Sequence, residues 1–96
     1  MSEQININLM QLQAASELPP DKKFYFNGFT VAISPIDCAI VLQYNNQPIA
    51  LLSTSHTIAK TLVVQLNGLI SDFEQKTGRG ILKLDEIQAL LSKDAQ

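Results

Sequence analysis

The segment 53-STSHTIAKTLVVQLNGLISDFEQKTG-78 decides the fold class, because it holds the longest periodic run in the chain. At about 100° per residue, Ile58, Ala59, Leu62, Val63, Leu66, Leu69, Ile70 and Phe73 fall within roughly a 140° arc. That spacing predicts a long helix over 55–77. Ser53, Thr54 and Ser55 are the candidate N-caps, and Gly78 is the C-terminal stop. An apolar face this wide suits a helix lying on a sheet. On the opposite side, Thr57, Thr61, Val64 and Gly68 recur at spacings of three and four and line a narrow uncharged strip. Gly68 costs the helix about 1 kcal/mol relative to alanine, which suggests close approach of another backbone. The strip is therefore expected to be a helix–helix seam in a homo-oligomer. The competing reading is an exposed face of indifferent composition.

Upstream of the helix the period changes to two. In 24-FYFNGFTVAIS-34, Phe24 and Phe26 share one parity, while Phe29, Val31 and Ile33 share the other. A bulge at Asn27-Gly28 would restore a single apolar face across that switch. Ser34-Pro35-Ile36-Asp37 reads as a turn. The runs 38-CAIVLQY-44 and 49-IALLS-53 flank Asn45-Asn46-Gln47-Pro48 and read as a hairpin. Further back, 4-QININL-9 alternates Ile5, Ile7 and Leu9 with asparagines, which predicts another short strand. Residues 10–23, with Pro19-Pro20-Asp21, are expected to form a connector.

Downstream, 79-RGILKLDEIQALLSKDAQ-96 contains a shorter amphipathic pattern built on Leu84, Ile87, Leu90 and Leu91. Asp85 and Glu86 stand where the first turn of a helix favours acids. The expected fold is thus α+β, a single domain over 1–96. An antiparallel meander of about four strands (4–9 and the stretch 24–53) packs against the helix 55–77, and a short C-terminal helix covers 83–93.

Composition narrows the function classes. Apolar residues make up 46% and charged residues 17% of the 96, a globular balance. A net charge of −2 gives no basic footprint for nucleic acid. Cys38 is the single cysteine, so an intrachain disulfide or a cysteine-based zinc site cannot form. The opening MSEQININL lacks the features of a secretory signal, and no apolar run approaches the ~20 residues of a membrane span. A cytoplasmic protein is expected.

Catalytic constellations are weak. His56 stands beside Ser53 and Ser55, with Asp37 elsewhere, but no G-x-S-x-G elbow or second histidine accompanies it. Cys38 lies in an apolar run without an adjacent cation and reads as a small core residue. Gly78-x-Gly80 is a helix exit rather than a phosphate cradle. No enzyme activity, cofactor or metal is expected.

Several short motifs occur in order: Gln4-Ile5-Asn6-Ile7, Tyr25-x-Asn27, Ser34-Pro35-x-Asp37, His56-x3-Lys60-x-Leu62 and Phe73-Glu74-x3-Gly78. Together they resemble the small bacterial and phage family called domain of unknown function 3467, over roughly residues 4 to 80. His56-Thr57-Ile58-Ala59-Lys60 stretches that family's helix-start signature by two residues. The resemblance implies a small strand-then-helix domain of bacterial or phage origin. It implies no activity and no site residues.

These readings converge on a non-enzymatic, homo-oligomeric interaction or assembly module, with Thr57, Thr61, Val64 and Gly68 at the interface and another protein as a further partner. One alternative is a small-ligand or sequestering protein whose pocket between protomers gathers Asp37, His56, Lys60, Tyr25 and Tyr44. Another is single-strand nucleic-acid binding through Phe24, Tyr25 and Tyr44 with nearby lysines.

Overall fold

Asn45 and Asn46 both adopt positive φ, 52° and 70°. Two consecutive left-handed residues form the tight turn whose twist matches antiparallel strands, and asparagine tolerates that conformation better than most residues. The turn joins β2 (Cys38–Tyr44) to β3 (Gln47–Thr54), and β1 (Gly28–Ile33) pairs with the other edge of β2. The computed structural model describes residues 2–94. Among them the sheet has three antiparallel strands in the order β1-β2-β3, not the four expected.

The missing strand is a helix. Residues 4–9 lie within α1 (Ser2–Ser16), which also takes up the first half of the expected connector. Six alternating residues are too few to outweigh the helix formers Met10, Gln11, Leu12, Gln13, Ala14 and Ala15 that follow, and helix propagates once begun. The end of α1 is well supplied with partners. Lys23 Nζ donates to the Ser16 carbonyl at 2.5 Å, a lysine satisfying a terminal acceptor. A short 3-10 turn, Pro20–Lys22, completes the connector.

At Asn27-Gly28 the expected bulge has the right hydrogen-bond signature. Gly28 stands opposite Gln43, and the Asn27 amide also donates to the Gln43 carbonyl, so two residues address one. The strand proper begins only at Gly28, leaving Phe24 and Phe26 outside the sheet. A second irregularity lies in β3. Leu42 pairs with Ala50 and Gln43 with Pro48, so Ile49 has no opposite number.

The turn before β2 is built by one hydroxyl. Ser34 Oγ accepts from the amides of Ile36 (3.2 Å) and Asp37 (3.0 Å) and donates to Asp37 Oδ1 (3.0 Å). The Ser34 amide donates to the Asp37 carbonyl at 2.8 Å, closing the first rung of the β1–β2 ladder.

The described chain divides into two compact units, one ending at Thr54 and the other beginning at Ser55. The second unit opens with α2 (His56–Thr77), within a residue of its expected bounds. Ser55 is the N-cap, its Oγ accepting from the Ile58 amide at 3.1 Å, and Gly78 (φ 68°) ends the helix in the left-handed region. Glu74 Oε2 then accepts from the Ile81 amide at 2.6 Å, holding the exit segment to the helix it leaves. The last element is α3 (Leu84–Asp94). Glu86 Oε1 accepts from the Lys83 amide at 2.9 Å, the reciprocal half of a capping box.

Candidate interaction surface

The pairing register sorts the sheet's side chains into two faces, since residues directly opposite one another point the same way. Phe29, Val31 and Ile33 of β1 share a face with Leu42, Ile40 and Cys38 of β2 and with Ala50, Leu52 and Thr54 of β3. Eight of these nine are apolar. Even so, Leu42 is the one buried large apolar side chain among the described residues. Phe29 is 62% exposed, Val31 59% and Ile33 76%. The other face carries Val41 and Leu51 among Thr30, Ala32, Ala39, Gln43 and Ser53, and Leu51 is exposed as well.

The second unit shows the same condition. The large residues of the broad apolar arc of α2, from Ile58 to Phe73, are between 38% and 69% exposed. On α3, Leu84, Ile87, Leu90 and Leu91 are also exposed. Scattered surface leucines are ordinary; contiguous apolar faces on sheet and helix alike are not.

The uncharged strip of α2 is where its spacing places it, and Thr57, Thr61, Val64 and Gly68 are all exposed. Thr61 Oγ1 donates to the Thr57 carbonyl at 2.8 Å, so the helix itself occupies that hydroxyl's proton. Thr57, Lys60, Thr61, Val64 and Gln65 line an open hollow of about 440 Å³. A Cβ placed on Gly68 meets nothing within 4 Å. No neighbour among the described residues therefore demands glycine there.

The alternative pocket residues are only partly brought together. The rings of Tyr25 and Tyr44 meet edge to face, with centroids 6.4 Å apart. With Lys23, Phe24 and Ile49 they line a second hollow of about 420 Å³. Asp37 lies beyond the opposite end of β2, roughly 20 Å away at an ordinary strand rise, with its carboxylate engaged by Ser34. His56 and Lys60 share a side of the first turns of α2, one helical turn apart. Sequence reasoning missed Ile49 and Lys23 as members of the tyrosine hollow. The signal for Ile49 is its place next to Pro48 after a tight turn, where a bulge is tolerated.

Phe24, Tyr25 and Tyr44 are all exposed. Among the described residues no group of three or more His, Cys, Asp or Glu side chains is arranged to hold a metal. No helix among them is long and apolar enough to cross a membrane. No family model, no curated protein and no solved structure matches this chain.

Proposed function

We propose that this chain is a non-enzymatic assembly module that associates with copies of itself by burying apolar surface of the sheet and of α2. One observation carries the reading: among the described residues only Leu42 is buried, although both the sheet and α2 present contiguous apolar faces. Burying a large aliphatic or aromatic side chain contributes about 1.5–3 kcal/mol. Covering the seven half-open large side chains of the α2 arc therefore contributes on the order of 5–10 kcal/mol, comparable to the whole net stability of a small domain. A chain of this size gains more from a second copy than a larger protein does.

The strip of Thr57, Thr61, Val64 and Gly68, on the side of α2 opposite that arc, is proposed as a separate contact between helices. Its small side chains permit close approach of two helix axes, with Lys60 at the rim of the same hollow. The resemblance to domain of unknown function 3467 adds no activity to this reading. A cytoplasmic setting in a bacterial or phage complex, with another protein as further partner, belongs to the same proposal.

Molar mass by light scattering at micromolar concentration tests it. The expected result is a multiple of the single-chain mass for the wild type. For Gly68→Leu the expected result is a smaller assembly than that of the wild type, with an unchanged far-ultraviolet spectrum. A wild type that is a single chain at that concentration removes the assembly reading. An oligomer indifferent to Gly68→Leu moves the contact off the strip.

The tyrosine hollow favours a second reading, capture of a planar ring by Phe24, Tyr25 and Tyr44. Three of its five lining side chains are aromatic rings, so stacking would supply most of the affinity. Titrating a labelled oligothymidylate at two salt concentrations checks this. Weak binding that barely responds to salt fits stacking, and no binding at either concentration removes a nucleic-acid role.

A further inference from the structure

The two edges of the sheet are unequally protected. At the β3 edge, Pro48 has no amide to donate and the unmatched Ile49 disrupts regular pairing, two of the devices that discourage strand addition. β1 has neither. From Phe24 through Ile36 the chain contains no Lys, Arg, His, Asp or Glu, and Gly28–Ile33 contains no proline.

The hydrogen-bond parity of β1 follows from its end. The Ser34 amide donates to the Asp37 carbonyl, so the backbone groups of Ala32 and Thr30 also turn toward β2. Those of Phe29, Val31 and Ile33 therefore point away from the sheet. The same three residues carry the exposed apolar side chains of β1. One set of positions thus offers both an unpaired backbone edge and an uncovered apolar row.

We infer that β1 pairs antiparallel with β1 of a second copy, centred on Val31, to make one continuous six-stranded sheet. In this register Val31 faces its own counterpart, and Phe29 faces Ile33 of the other copy. Each of these pairs exchanges amide and carbonyl in both directions, and the apolar rows of the two copies join on one face. An isologous contact sets a segment against itself, so any charge in β1 would meet its like; the segment has none. The inference deepens the self-association reading and rests on it, but uses a contact independent of the α2 strip.

Cysteine cross-linking tests the register. In a Cys38→Ser background, Val31→Cys places two thiols on hydrogen-bonded partners with Cα atoms about 5.5 Å apart, within disulfide reach. Ile33→Cys places its thiols four rungs apart, more than about 12 Å, and out of reach. Mild oxidation is expected to convert most of the Val31→Cys protein to covalent dimer and little of the Ile33→Cys protein. Hydrogen exchange on the unaltered protein supplies a second readout. The amides of Phe29, Val31 and Ile33 are expected to exchange at least about tenfold more slowly than unbonded amides, like those of Thr30 and Ala32. A wild type that is a single chain removes the assembly reading and this inference together. An oligomeric wild type whose Val31 amide exchanges freely, or whose two cysteine variants cross-link equally, overturns this inference alone.

Discussion

Asn27 and Asn45 are joined by two hydrogen bonds. Asn27 Nδ2 donates to Asn45 Oδ1 at 2.9 Å, while the Asn45 amide donates to Asn27 Oδ1 at 2.9 Å. A side chain at the start of β1 thus clamps the turn between β2 and β3, tying all three strands at one end. Asn27→Ala removes both bonds and is expected to cost about 1–2 kcal/mol, read as a lower urea midpoint with an unchanged slope. Asn27→Asp keeps the acceptor and loses the donor, so its midpoint should fall between the two.

The second turn residue, Asn46, holds φ at 70°. Asn46→Gly should leave stability unchanged or raise it by up to about 0.5 kcal/mol, since Asn-Gly suits this turn best. Asn46→Val should lower it by more than about 1 kcal/mol, because a β-branched residue resists positive φ. Thermal unfolding of the two variants under one set of conditions checks the sign.

Gly68, inside α2, and Gly78, just past its end, should respond oppositely to alanine. Gly78 sits at φ 68°, where a Cβ is strained, so Gly78→Ala is expected to destabilise by about 1 kcal/mol. At Gly68 a Cβ meets open space within the chain, so Gly68→Ala should strengthen the helix itself by up to about 1 kcal/mol. If the strip is the contact between copies, that gain appears at high dilution and is offset as concentration rises. Denaturation at several protein concentrations separates the two contributions.

At the two helix starts, Ser55→Ala and Glu86→Ala each delete a side-chain acceptor from an otherwise unbonded helical amide. Each should cost about 1 kcal/mol and raise the local exchange rate of the Ile58 or Lys83 amide without altering the rest of the chain. The Lys76–Asp72 ion pair, at 2.9 Å but well solvated, should matter less when either partner is replaced by alanine.

The sequence reveals α2, β2, the hairpin and the Ser34 turn because each depends on a local signal strong enough to stand alone. Ser55 and Gly78 mark the bounds of α2 by backbone chemistry, and the double asparagine demands a tight turn. The first strand was read from the alternation of Ile5, Ile7 and Leu9, a signal that a helix also accommodates over so short a run. What decides there is the helix-forming stretch after it, which reading by alternation alone undervalues. The strip on α2 was visible as a pattern, but its role depends on a partner, and no intrachain property encodes one. Within one chain, pairing register sets Asp37 at the opposite end of the sheet from the tyrosine pair, a separation no composition reveals.

The unmatched Ile49 has one further effect. By displacing the rest of β3 by one position, it turns Leu52 toward the side of Phe29 and Leu51 toward the side of Val41. Had Ile49 instead paired with Leu42 in regular register, the two leucines would have traded places, and each side of the ribbon would still have received one. The hairpin is thus greasy above and below whichever way it is threaded, and a cover laid over one side only would leave the other wet.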